Sequence, residues 1–290
     1  MNDTLKAAIW MSGAILSFTS MAIAGRAVSL ELDTFEIMMY RSFFGIVLVV
    51  GAATMAGTLR EVTSRNLGLH LIRNISHFAG QNLWFFAITA IPLAQVFALE
   101  FTSPIWAILL SPLLLGERLR PIGLLAALIG FIGILIVARP TPQSVDIGQI
   151  AAATAAIGFA LSAIFTRKLT RTETITCILF YLTVMQAGLG LLFAGFDGDI
   201  ALPSWESLPW IILISCAGLV AHFCLTTALS LAPAAAVMPI DFIRLPLIAV
   251  VGMSLYGEPL DLWVLVGATI IFAGNYLNIL TQIRTTTATR

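Results

Sequence analysis

The sequence is written twice. Sliding it by 141 positions lays Pro92 on Pro233, Val96 on Val237, Phe101 on Phe242, Gly116-Glu117 on Gly257-Glu258 and Gly133 on Gly274. The register holds upstream without a gap: Ala22 on Ala163, Ile23 on Ile164, Arg26 on Arg167, Ile37 on Ile178, Tyr40 on Tyr181 and Gly57 on Gly198. Glu100 falls on Asp241, an acid inside an apolar run both times. Two equivalent halves, each apolar along nearly its whole length, restrict the fold to two copies of one helical unit.

Composition decides which solvent surrounds them. Hydrophobic residues make up 59% of 290 positions and charged residues 10%, more apolar surface than a soluble core of this size can hide. Runs long enough to cross hydrocarbon lie at 7–25, 34–56, 69–90, 93–115 and 121–139, then at 148–166, 174–195, 208–230, 234–256 and 262–282. The expected fold is therefore an all-α polytopic membrane protein of ten transmembrane helices. Residues 1–140 form a first five-helix repeat, 141–282 a second, and 283–290 a polar tail. The N-terminus has no basic segment with a cleavage site, so the first run is expected to remain as a span.

Five is odd, so the second copy enters the membrane from the opposite side. On the side of the N-terminus fall Lys6, Arg60, Arg65, Arg118, Arg120, Arg167, Lys168, Arg171, Arg284 and Arg290. The other side has only Arg26 and Arg139, and this asymmetry places both termini in the cytoplasm.

An ionisable group inside a span must face a partner or water. Arg41, Arg73, His77, Glu100, His222, Asp241 and Arg244 are so placed, with Gln81, Asn82 and Gln186 as neutral company. Gln81 and His222 are equivalents near mid-span. With His77 one turn away they make a candidate substrate site, with Tyr40, Tyr181, Trp84 and Phe85 as apolar walls. Asp241 and Arg244, at i and i+3, can pair, and Arg41 is the partner expected for Glu100. Each pair is then a candidate gate on its own side. A bland role stands beside each: Arg73 near a helix end can snorkel, the ion pairs can be structural, and the histidines can be satisfied core donors.

Prolines interrupt equivalent spans, Pro104 and Pro112 in the fourth, Pro239 and Pro246 in the ninth, which marks them as candidate hinges. Gly123, Gly130 and Gly133 in the fifth span and Gly267 and Gly274 in the tenth permit close helix approach. That serves packing within the chain or a homodimer contact. Cys177, Cys216 and Cys224 lack paired spacing, so neither a disulfide nor a metal site is expected. No hydrolase, zinc or nucleotide-binding motif is present, so no enzyme and no cofactor are expected. A zero net charge gives no reason to expect nucleic acid.

The run "Pro92-Leu-Ala…Glu100…Pro104-Ile-Trp-Ala…Gly116-Glu117", followed by Gly123, Gly130 and Gly133, resembles the EamA-type repeat of the drug/metabolite transporter superfamily. The second copy, from Pro233 through Asp241, Pro246 and Gly257-Glu258 to Gly274, departs from it at Leu245, where the first has Pro104. The resemblance implies a secondary carrier of the bacterial inner membrane, working by alternating access on a small-molecule substrate. Within the superfamily the chain is similar to the YddG-type aromatic amino-acid exporters, which implies export of amino acids. Export of drugs or other small organic solutes is the alternative.

Overall fold

The computed structural model describes residues 3–115, 121–139, 146–196, 198–231, 240–241 and 243–288. Every regular element among them is a helix. The first half gives α1 (Asp3–Val28), α2 (Thr34–Met55), a 3-10 turn at Leu59–Glu61, α3 (Leu67–Ala90), α4 (Leu93–Glu100), α5 (Ser103–Leu115) and α6 (Pro121–Ala138). The second gives α7 (Ile147–Leu169), α8 (Ile175–Ala194), α9 (Leu208–Leu231), α10 (Arg244–Tyr256) and α11 (Leu262–Ala288). Pro239 and the Gly116-Glu117 pair lie outside the described residues.

Local chemistry sets the boundaries. Asp33 and Glu36 form a reciprocal capping box at the start of α2, with bonds of 2.8 and 2.9 Å. Asp146 and Thr174 cap α7 and α8 through the amides of Gly148 and Cys177. Gly57 and Gly198, equivalent in the repeat, both have positive φ, 70° and 82°, where the chain turns out of α2 and α8. A side chain would strain either turn, so one conformational need is met by glycine in both copies.

α4 and α5 are one span broken at Phe101 and Thr102. Pro104 has no N–H for the Glu100 carbonyl. The Ser103 hydroxyl donates to that carbonyl at 2.7 Å instead, the Thr102 hydroxyl donates to the Leu99 carbonyl at 2.7 Å, and Asn275 of α11 donates to the Phe101 carbonyl at 3.0 Å. A break this fully satisfied can persist at membrane depth. In the second half α10 starts at Arg244, the equivalent of Ser103, although its proline stands one residue later, at Pro246. Pro112 lies inside α5 without ending it.

Among the described residues, six helical spans are long and apolar enough to cross a membrane by length and composition. Among the rest, α3 spans 24 residues but is diluted by its polar face, and α6, α10 and the apolar part of α11 are shorter. Leucines at 16, 113, 128 and 135 are more than half exposed, the outward belt expected against lipid.

The principal contacts obey the repeat. α1 packs along α9 as α7 packs along α3, while α2 pairs with α8, α4 with α10 and α6 with α11. The α2–α8 and α6–α11 pairs each join an element to its own equivalent, which happens only where a twofold axis passes through the crossing, whereas α4 meets the equivalent of α5, its partner in the broken span. The halves are thus inverted copies about an axis threading α2/α8 and α6/α11. The glycines serve this seam: a Cβ on Gly133 would lie 2.7 Å from the Gly267 carbonyl oxygen, and one on Gly274 would lie 2.8 Å from that of Ala126. These are one contact seen from each half. The small-residue faces are therefore used within the chain, and a homodimer through α6 and α11 would need their outward leucine and isoleucine faces.

Candidate functional site

A cavity of about 20 Å³, room for one water, lies where α2, α8 and α9 meet. Its lining includes Arg41 with Leu182, Ser42 with Thr183 and Gly45 with Gln186, three pairs of repeat equivalents, so the cavity sits astride the twofold axis. His222 completes it, with the His77 ring 5.7 Å away from α3. Phe18 stands 5.7 Å from His222 and its equivalent Phe159 stands 6.0 Å from His77. The centre thus has two imidazoles between two phenyl rings, with Arg41 lining the same cavity as His222.

Several polar atoms here lack a partner within the protein. His77 Nε2, Gln81 Nε2, Asn82 Oδ1 and Gln186 Oε1 are buried without a hydrogen bond. Gln186 donates to the Asn74 carbonyl at 2.9 Å, and Asn74 accepts from Arg73 at 3.0 Å. Arg73 also donates to Thr166 at 3.1 Å and stays buried inside the bundle instead of snorkelling. The Arg41 guanidinium reaches the Met38 sulfur at 3.6 Å and meets no carboxylate among the described residues. Unsatisfied buried groups are costly, so this group on α3 and α8 makes the region a candidate site.

A second cluster lies beside it, across Phe18. Arg244 binds Asp241 at 2.9 Å and Glu100 at 3.1 Å, and Trp84 Nε1 donates to Glu100 at 2.8 Å. The guanidinium lies about 5 Å from the ring centres of Phe18, Phe97 and Phe101. The expected Asp241–Arg244 pair forms, but the expected Glu100–Arg41 pair does not. Glu100 and Asp241 are repeat equivalents, and both reach one cation. Two separate pairs on opposite sides are replaced by one shared triad.

The structure does not bring every expected side chain to the centre. Tyr40 donates to the Ala201 carbonyl at 2.8 Å, fixing the α8–α9 connection on the face opposite the N-terminus. Tyr181 packs tilted against His70, ring centres 4.5 Å apart, near the N-terminal face. Phe85 is fully buried against α1 at Gly25, and Trp84 faces the triad rather than the histidines. Ser42, Thr183, Phe18 and Phe159 at the centre were not singled out in the sequence, where the repeat offset was the available signal.

On the face opposite the N-terminus the bundle is tied shut. Arg26 of α1 binds Glu258 and the carbonyls of Ile88 and Ile91, and Glu258 accepts from the Leu93 amide at 2.9 Å. Tyr256 lies over the same guanidinium at 4.7 Å. The repeat equivalents of this pair are Arg167 and Glu117.

A twofold bundle of inverted halves around one partly satisfied polar centre defines a membrane carrier. The EamA-like transporter family model matches the chain twice, over residues 5–139 and 146–280, and the chain belongs to that family. A riboflavin transporter of Brucella anthropi is 31% identical over 82% of this chain and 85% of its own length. One of Vibrio cholerae is 28% identical over 92% and 90%. An S-adenosylmethionine uptake transporter of Rickettsia felis is 25% identical over 93% and 92%. A crystal structure with 18% identity covers 97% of this chain and 98% of its own at a TM-score of 0.67, which supports the fold. The chain is a multi-pass membrane transporter.

Proposed function

We propose that this protein carries a neutral, flat, hydrogen-bonding heteroaromatic metabolite of the flavin type, by alternating access of the two halves to the axial cavity. The observation that carries the reading is the set of partnerless polar atoms on His77, Gln81, Asn82 and Gln186, with Phe159 against His77 and Phe18 against His222. An isoalloxazine offers carbonyl acceptors and an imide N–H at its edge and ring faces for stacking, matching such a lining. The names of the relatives at 31% and 28% identity support the same class. A sulfonium cation fits less well beside Arg41, which has no acidic neighbour among the described residues to offset it.

A second reading is the amino-acid export expected from the sequence. Arg41 favours it, because a carboxylate would neutralise that guanidinium. In either case the excess of basic residues on the N-terminal side supports an inner-membrane orientation with both termini in the cytoplasm.

Counterflow into proteoliposomes reads the substrate whatever the direction of net transport. Labelled riboflavin is expected to exchange, with unlabelled riboflavin competing and S-adenosylmethionine not. His77→Ala and Gln81→Ala should each slow exchange several-fold with the protein still inserted. Exchange of tryptophan without riboflavin would replace the flavin reading with the amino-acid one.

A further inference from the structure

Each half fastens the other half's connection between the second and third helices with a glutamate. On the face opposite the N-terminus, Glu31 accepts from the Ser204 amide at 2.7 Å, from the Ser204 hydroxyl at 2.8 Å and from the Ser207 hydroxyl. Those hydrogen bonds hold its carboxyl below the usual carboxylate range. On the N-terminal face, Glu173 accepts from Thr63 at 2.9 Å and from Asn66 at 2.5 Å. Thr63 and Asn66 are the repeat equivalents of Ser204 and Ser207. The two clasps do the same structural task.

They differ in what surrounds the carboxylate. At the Glu173 clasp stand His70 and Cys177, whose repeat equivalents are Ile211 and Glu36. The Glu31 clasp holds without any imidazole or thiol, so these two groups exceed the structural need. His70 is fully buried, its Nδ1 has no hydrogen-bond partner, and its Nε2 lies 3.9 Å from the Cys177 sulfur. One ligand atom each from His70, Glu173 and Cys177 lies within 4.8 Å of the others. The Thr63 carbonyl oxygen is 3.6 Å from the sulfur.

We propose that His70, Glu173 and Cys177 form a binding site for a borderline divalent cation of the zinc class, which pins the two halves together on the N-terminal face. One imidazole, one thiolate and one carboxylate are the donor types such an ion takes, with water or the Thr63 carbonyl as a fourth ligand. Each Glu173 oxygen keeps a free lone pair after its present bond, so the clasp and the metal are compatible. The three atoms must draw together by roughly 1 Å to reach metal-ligand distances, within the range of side-chain rotation. On binding, the Cys177 thiol gives its proton to solvent and its sulfur lone pair to the metal; no redox change occurs. Cysteine spacing could not reveal the site, because His70 comes from α3 and Cys177 from α8, in different halves of the chain.

Cobalt(II) is a suitable probe, because a thiolate ligand gives it a near-ultraviolet charge-transfer band. The full-length protein in detergent should bind one Co²⁺ per chain with that band, and Zn²⁺ should displace it. At a hundredfold excess over its dissociation constant, Zn²⁺ should raise the melting temperature by about 5 °C. Cys177→Ser should abolish the band and the shift, and His70→Gln should abolish or sharply weaken both. The Cys216→Ser/Cys224→Ser double variant should keep them. Absence of the band in wild-type protein, or its survival in Cys177→Ser, would overturn the proposal. So would equal stabilisation of wild type and Cys177→Ser by Zn²⁺.

Discussion

Arg244 is the residue on which the buried charges balance. It holds Asp241 and Glu100 at once and is boxed by three phenyl rings. Removing one member of such a group costs most when it strands opposite charges. Arg244→Gln leaves two neighbouring carboxylates without a cation and should destabilise the protein by about 3–5 kcal/mol. In Glu100→Gln the amide oxygen still accepts from Trp84, and Arg244 still has Asp241, so a smaller loss is expected. Thermal unfolding of both variants in detergent checks the order; an equal or reversed effect would show that the triad is not centred on Arg244. Arg41 is the contrasting case, a buried guanidinium whose nearest described partner is a thioether.

Among the elements, α6 and α11 form a tight seam. A Cβ on Gly133 would meet Ile271 Cγ1 at 2.6 Å and the Gly267 carbonyl at 2.7 Å, and a backbone oxygen cannot rotate aside. Gly133→Ala should therefore force the helices apart and cost about 1–3 kcal/mol. Gly188→Ala is the control, since nothing lies within 4 Å of its added carbon. Melting temperatures should fall for the first and hold or rise for the second. At this scale the sequence was highly legible: the offset identified the halves, the inversion, the glycine faces and the broken span at Pro104. Long-range pairing was harder to read. Asp241–Arg244 follows from helical spacing, whereas the partner of Glu100 depends on which elements pack together. Tyr40 and Tyr181 are equivalents expected as walls of the site, but equivalent residues converge only near the axis. Theirs lie at opposite ends of the bundle.

At the scale of the whole molecule, the principal interfaces join one half to the other: α1 with α9, α2 with α8, α3 with α7, α4 with α10 and α6 with α11. This bears on how the protein is made. As the chain leaves the ribosome, the first five spans enter the bilayer before most of their eventual neighbours exist. Arg41, Arg73 and His77 must then wait in lipid, each costing on the order of 2.5 kcal/mol or more until the second half arrives. The first half is thus an insertion intermediate exposed to quality-control proteases, and the two halves behave as interlocking subunits joined by a tether. Residues 1–140 and 141–290 produced separately should each be degraded quickly, and produced together they should accumulate and co-purify. Full accumulation of the first half alone would mean that it holds its buried charges without its twin.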